Sequence, residues 1–120
     1  MAERERLICR SEQLLDGGDG LRFLVGEEPA FVVRYAGEVH GYLNRCAHVP
    51  VELDWLEGKF FDLTGHYLLC AVHGAHYEPR TGFCVMGPCK GGRLPRLIMR
   101  ERDGEVFVVE AASSPLSGAA

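Results

Sequence analysis

No stretch of the sequence approaches the ~20 consecutive apolar residues of a membrane-spanning helix. The opening Met1-Ala2-Glu3-Arg4-Glu5-Arg6 is charged where a secretory leader would be apolar. Positive charge is not in excess: thirteen Lys+Arg stand against seventeen Asp+Glu, a formal net charge of −4, so a generic nucleic-acid role lacks its electrostatic footprint. There is no Gly-x-Gly-x-x-Gly stretch to seat a nicotinamide or flavin dinucleotide, no internal repeat and no sustained helical periodicity. At 120 residues, two core-bearing units would each be too small to bury enough surface. These absences lead to the expectation of a soluble, cytoplasmic, single-domain protein that binds neither membrane nor nucleic acid.

What is there is glycine and short β-type segments. Fifteen glycines are spread along the chain, and 47% of residues are hydrophobic, enough apolar surface to offset chain entropy. Leu7 to Arg10 reads as an edge strand, Gly17-Gly18-Asp19-Gly20 as a loop, and Leu21 to Gly26 as a second strand. Ala30 to Tyr35 and Val39 to Leu43, joined through Ala36-Gly37-Glu38, read as a hairpin whose β-branched and aromatic residues suit a pleated surface. Asn44 to Cys70 is the least regular stretch, with a short helical piece expected over Val51 to Leu56 and a buried strand over Tyr67 to Leu69. His76-Tyr77-Glu78 and Phe83-Cys84-Val85 frame a second hairpin-like unit. Leu97 to Arg102 and Glu105 to Glu110 frame a third, because Asp103-Gly104 between two strand-like runs is a strong turn signal. The expected organisation is one mostly β domain over residues 1–110 and a flexible tail over 111–120.

Five cysteines in a cytoplasmic chain point to metal or redox chemistry before structural disulfides. Two motifs carry that chemistry, Cys46-Ala47-His48 and Cys70-Ala71-Val72-His73, with twenty-one residues between them. Each offers one thiolate and one imidazole from a loop. Two such loops face to face would supply two sulfur and two nitrogen ligands to one metal centre. Other readings are buried cysteines acting as small hydrophobes beside surface histidines, or a structural Cys2His2 zinc site. The spacing is unlike a zinc finger, which pairs Cys with Cys and His with His locally. An all-cysteine cluster that adds Cys84 and Cys89 would leave His48 and His73 without a role.

Cys46-x-His48 with Cys70-x-x-His73 and Gly74 resembles the ligand motif of Rieske iron–sulfur proteins. The resemblance continues through Tyr77 and Gly82 to Gly87-Pro88, similar to the proline-bearing loop that covers the cluster in that family. It implies an antiparallel β-sandwich or barrel-like Rieske fold, with a small cluster-binding subdomain of two ligand loops over about 44–92. It also implies one [2Fe–2S] cluster per chain, with Cys46 and Cys70 on the buried iron and His48 and His73 on the outer one. Two ferric ions, two sulfides and two thiolates are neutral together when both histidines are neutral, whereas four thiolates would give a dianion. Imidazole ligation therefore raises the potential, into a window of roughly −150 to +300 mV.

The surrounding residues place the expected potential within that window. Respiratory Rieske proteins join their ligand loops by a disulfide, and Val51 and Val72 occupy the matching positions here. Their serine hydroxyl toward a bridging sulfide is replaced by Ala75. Donors to sulfur stabilise the more negative reduced state, so their absence lowers the potential. Tyr77 stands where the family places a tyrosine hydroxyl near a cysteine sulfur. A low to intermediate potential is expected.

The remaining polar and aromatic residues receive plainer expectations. Cys84 faces inward, Cys89 lies beside Pro88, and a disulfide between them is possible by their separation but disfavoured in a reducing cytosol. Cys9 is a buried or edge-strand thiol, and His40, His66 and His76 are surface or hydrogen-bonded. Trp55 and Phe60-Phe61 form a satellite core, with Glu52, Asp54, Glu57 and Asp62 as an acidic patch available to a partner. Lys90, Arg93, Arg96, Arg100 and Arg102 form a solvated basic face or a docking surface for an acidic redox partner. The function implied by the resemblance is a Rieske-type ferredoxin, a one-electron carrier between a reductase donor and an oxidoreductase acceptor, and not itself an enzyme. The chain has no room for an oxygenase's mononuclear iron domain. The alternative is a small iron–sulfur subunit or redox-sensing module of an oxygenase or nitrite-reductase-like system.

Overall fold

The alternating and glycine-punctuated sequence becomes a set of short antiparallel strands in a computed structural model that describes residues 3–46, 51–54, 56–71, 74–88 and 91–111. In chain order they are β1 (Glu3–Arg10), β2 (Leu21–Val25), β3 (Glu28–Tyr35), β4 (Glu38–Leu43), β5 (Leu68–Cys70), β6 (Ala75–Tyr77), β7 (Cys84–Met86), β8 (Arg96–Leu97), β9 (Met99–Arg102) and β10 (Glu105–Ala111). One 3-10 turn, Ser11–Gln13, follows β1. Among the described residues there is no α-helix, and no helix is long and apolar enough to cross a membrane. The expected tail lies outside the described residues beyond Ala111, which closes β10.

The strands form three sheets in the orders β1-β10-β9, β2-β3-β4-β8 and β5-β6-β7. The predicted strand from Leu97 to Arg102 is broken at Ile98. Leu97 pairs with Gly41 of β4, Met99 pairs with Val108 of β10, and the Ile98 carbonyl accepts from the Val109 amide at 2.9 Å. One chain segment thus belongs to two sheets and draws them together as the wall of a barrel. Asp103 and Gly104 both take left-handed φ values, 53° and 76°, as the Asp-Gly signal required of a two-residue hairpin turn.

β3 divides the interior. Successive side chains of a strand point to opposite faces, and Ala30 to Val33 are buried without interruption. Val32 packs into the barrel core with Cys9, Leu14 and Val106. Phe31 and Val33 face a second core with Tyr42, Cys46, Leu53, Phe60, Leu68, Cys70, Tyr77, Cys84 and Leu94. Phe60 is fully buried and stacks on Phe31, with ring centroids 4.0 Å apart and planes at 12°. It is therefore part of the main core and not of a satellite, because the loop carrying it folds down onto β3. Trp55 lies outside the described residues. Cys9 is buried as expected, and burial pushes its thiol pKa up.

Two further expectations are corrected. Val51 to Leu56 is not helical over its described residues, since its backbone groups bond outward. The Val51 carbonyl accepts from Cys46, the Leu53 carbonyl from Ala71, and the Leu53 amide donates to the Asn44 side chain. His40 is 6% exposed and neither ring nitrogen has a hydrogen-bond partner among the described residues, so it is neither a surface nor a hydrogen-bonded histidine there. It sits on β4 with Arg96, Glu38, Glu78 and Arg80 as its charged surroundings.

Burial, aided by Arg96, holds the His40 imidazole below its ordinary pKa, against the opposing pull of Glu38. The unfolded chain then binds a proton at a pH where the folded chain does not. Stability contributed by the neutral ring is present above the ordinary histidine value, about 6.5, and is lost as pH falls through it, with a slope of up to about 1.4 kcal/mol per pH unit. Denaturant titrations between pH 5 and 7 should show this slope in the wild type, and His40→Phe should flatten it.

Candidate metal centre

The first motif begins where β4 ends. The Asn44 amide donates to the Pro29 carbonyl at 2.8 Å, and the Cys46 amide donates to the Val51 carbonyl at 2.8 Å, closing the loop between them. Cys46 is 3% exposed. Its Sγ lies 3.2 Å from the Tyr77 hydroxyl on β6, within the core. A polar hydroxyl in so apolar a place needs a partner, and a thiol sulfur is the one it has in this contact.

The second motif begins where β5 ends. Cys70 is fully buried and pairs with Ala75 across the β5–β6 hairpin, while the Gly74 amide returns to the Cys70 carbonyl at 2.8 Å. The Ala71 amide donates to the Leu53 carbonyl at 3.1 Å. Val51 and Leu53, two residues apart, therefore tie the first loop to the second. Ala75 is fully buried and offers no hydroxyl. His76 approaches the Gly74 carbonyl through Nδ1 at 2.9 Å and lies 3.7 Å from the Asp62 carboxylate, a hydrogen-bonded histidine as expected.

The third component is the turn after β7. Gly87 has φ of +102°, and a Cβ there would lie 2.8 Å from Ala75 Cα and 3.0 Å from the Gly74 carbonyl oxygen. Gly87-Pro88 thus rests directly against the hairpin that carries Cys70. The Cys84 amide donates to the Gly92 carbonyl at 2.8 Å, and the Gly91 amide returns to Cys84 at 3.3 Å, so the chain comes back on itself beside Cys84. Cys84 is disulfide-bonded, with its partner outside the described residues. This corrects the expectation of reduced cysteines: closure of the loop brings chain together regardless of the compartment assumed. Cys89 and Lys90 themselves lie outside the described residues.

Charge around the site is mostly paired within the chain. Asp54 is 2% exposed and does not belong to a surface acidic patch. Its carboxylate accepts from Arg22 Nε at 2.8 Å and Nη2 at 3.0 Å, from Asn44 Nδ2 at 3.0 Å and from the Gly58 amide at 2.9 Å. Burial raises the Asp54 pKa, and the hydrogen bonds from Arg22, Asn44 and Gly58 outweigh it, leaving the carboxyl below its ordinary value. Sequence reasoning grouped Asp54 with the acidic loop residues and gave Arg22 and Asn44 no role; nothing local separates a buried aspartate from an exposed one. In the basic run, Arg100 and Arg102 pair with Glu5 and Arg93 lies over the Phe83 ring, so much of it is already engaged.

Of the expected ligands, the structure brings Cys46 and Cys70 into one core; His48 and His73 lie outside the described residues, as does Val72. No group of three or more Cys, His, Asp or Glu converges among the described residues. Two buried thiols on loops bridged through Val51 and Leu53, with a hydroxyl at one sulfur, are a donor set suited to iron–sulfur ligation.

Comparison with known proteins agrees. The family model of the Rieske [2Fe-2S] domain matches residues 5–97. The ferredoxin of carbazole 1,9a-dioxygenase from Nocardioides aromaticivorans IC177 has a TM-score of 0.72 at 23% identity, covering 87% of this chain and 95% of that chain. The Sphingomonas yanoikuyae B1 ferredoxin has a TM-score of 0.73 at 20% identity, covering 90% and 100%. A complex of reduced oxygenase and oxidized ferredoxin in carbazole 1,9a-dioxygenase includes a chain with a TM-score of 0.71 at 24% identity, covering 86% and 99%. No curated protein matches the sequence. At these identities the structural likeness is one of fold. The family match spans both Cys/His motifs and the Gly87-Pro88 loop, and the chain belongs to the Rieske [2Fe-2S] domain family, whose members carry one such cluster per chain.

Proposed function

We propose that this protein is a Rieske-type ferredoxin, a one-electron carrier whose cluster is held by Cys46 and Cys70 on the inner iron and by His48 and His73 on the outer iron. The observation that carries the reading is the convergence of two buried cysteines on loops tied together at Val51 and Leu53, with the Tyr77 hydroxyl 3.2 Å from Cys46 Sγ. When bound, the cluster supplies a reversible one-electron couple. The chain's own contribution is to exclude water from the thiolates, to donate a hydrogen bond from Tyr77, and to cover the site with Gly87-Pro88.

The solved complex of an oxygenase with its ferredoxin supports an oxidoreductase of that kind as acceptor; the proposed donor is a reductase. Val85 and Met86 are exposed on β7 beside the covering turn and offer such a partner an apolar edge. Ala75 in place of a hydroxyl donor supports a potential below that of the respiratory members. The proposed unit is a single domain over residues 1–110, with its cluster-binding part over about 44–92.

Anaerobically purified protein should be brown, with two irons and two inorganic sulfides per chain, and should give a rhombic EPR signal on reduction; colourless protein with one zinc would overturn the reading. Tyr77→Phe removes a donor that strengthens as the sulfur gains charge. A difference of about 1 kcal/mol between the redox states would lower the midpoint by about 40 mV for one electron, measured by spectroelectrochemistry. Gly87→Ala forces a side chain into a left-handed, closely packed position, a strain of about 1–3 kcal/mol. The melting temperature should fall and the cluster should be lost faster to chelator.

A further inference from the structure

Asp54 is not among the proposed ligands, yet its side chain is completely buried. Its partners come from separate parts of the fold. Arg22 lies on β2, Asn44 follows β4 immediately before the first ligand loop, and Gly58 stands at the far end of the loop that carries Asp54 itself. Asn44 is also spoken for at its other end, where Oδ1 accepts from the Leu53 amide at 2.8 Å. The neighbouring Leu53 carbonyl accepts from Ala71, the residue after Cys70. A continuous chain of hydrogen bonds therefore runs from Arg22 through Asp54, Asn44 and Leu53 to the second ligand loop.

We propose that Asp54 is a positioning residue for the cluster site, holding the two ligand loops in register and, with Arg22, balancing the charge that the cluster senses. The proposal rests on the Rieske reading above. The loop from Val51 to Gly58 has no regular secondary structure over its described residues, so its shape depends on these side-chain bonds. The Asp54 carboxylate is the acceptor on which four such bonds, from Arg22, Asn44 and Gly58, converge. Arg22 is one-third exposed and also meets Glu52 at 3.4 Å, so it stays oriented when Asp54 loses its charge. The pair is neutral in the wild type. Removing the carboxylate charge leaves a net positive change near the cluster, and removing the guanidinium leaves a net negative one. The first favours the reduced state and the second the oxidised state. A residue with a packing role alone has no reason to give opposite signs.

The test compares Asp54→Asn, Arg22→Gln and Arg22→Lys with wild type in the anaerobic, cluster-containing protein at low ionic strength. Midpoint potentials should rise for Asp54→Asn, fall for Arg22→Gln and stay at the wild-type value for Arg22→Lys, which keeps the charge and loses the bidentate geometry. Release of the cluster to a chelator should be fastest in the two charge-removing variants. If a variant retains no cluster, the cluster-free proteins are compared by alkylation of Cys46 and Cys70. Asp54→Asn should then react at least about tenfold faster than wild type, a modest fraction of what breaking a buried ion pair costs. Potentials that shift in the same direction or not at all, or unchanged alkylation where no cluster is retained, overturn the proposal while leaving the ferredoxin reading intact. Wild-type protein without iron and sulfide overturns both.

Discussion

The backbone of Val51 and Leu53 is the shared support of the two loops that carry Cys46 and Cys70. One carbonyl receives the amide of Cys46 and the other the amide of the residue after Cys70. Two loops that approach from different sheets must be fixed relative to each other within a fraction of an ångström for their donors to address one metal pair. Backbone hydrogen bonds between them, in a region 0–3% exposed at Cys46, Leu53 and Cys70, provide that constraint without any covalent link.

That support is held in turn by β3. Its alternating side chains serve two cores, the barrel through Val32 and the site-bearing core through Phe31 and Val33. The Phe31–Phe60 stack brings the long connection between the two motifs down onto the sheet. Aromatic pairs of this kind contribute area burial and a preferred geometry together, and the connection gains a fixed floor although it carries little regular structure. Tyr42, adjacent in the same core, donates its hydroxyl to the Pro79 carbonyl at 2.7 Å and anchors the β6–β7 turn to β4. Burial raises the Tyr42 pKa to about 12, so this donor keeps its proton throughout the physiological range.

The environment of the thiols is apolar, with polar groups admitted singly. Tyr77 is the hydroxyl at the Cys46 sulfur, and Ala75 leaves its own position without one. Each hydrogen bond to a ligand sulfur stabilises the extra electron of the reduced state, which is the physical basis for proposing a potential below that of the respiratory members. The ion pair between partly exposed Arg22 and buried Asp54 belongs to the same economy of charge: a buried carboxylate is tolerable only with such partners, and here they also shape the loop.

Much of this was legible in the chain. The hairpin through Ala36-Gly37, the Asp103-Gly104 turn and the strand into Cys70 follow from local backbone preferences, and local preferences are written in neighbouring residues. The Cys46/His48 and Cys70/His73 motifs point to the family that the Rieske [2Fe-2S] domain match bears out, because residue type and spacing are properties of the sequence itself. Tertiary structure alone decided the burial of Asp54 and His40, the entry of Phe60 into the main core and the break at Ile98. In each of these the outcome depends on segments far apart in sequence, since burial and partnership belong to the surroundings a side chain meets after folding and not to the side chain itself.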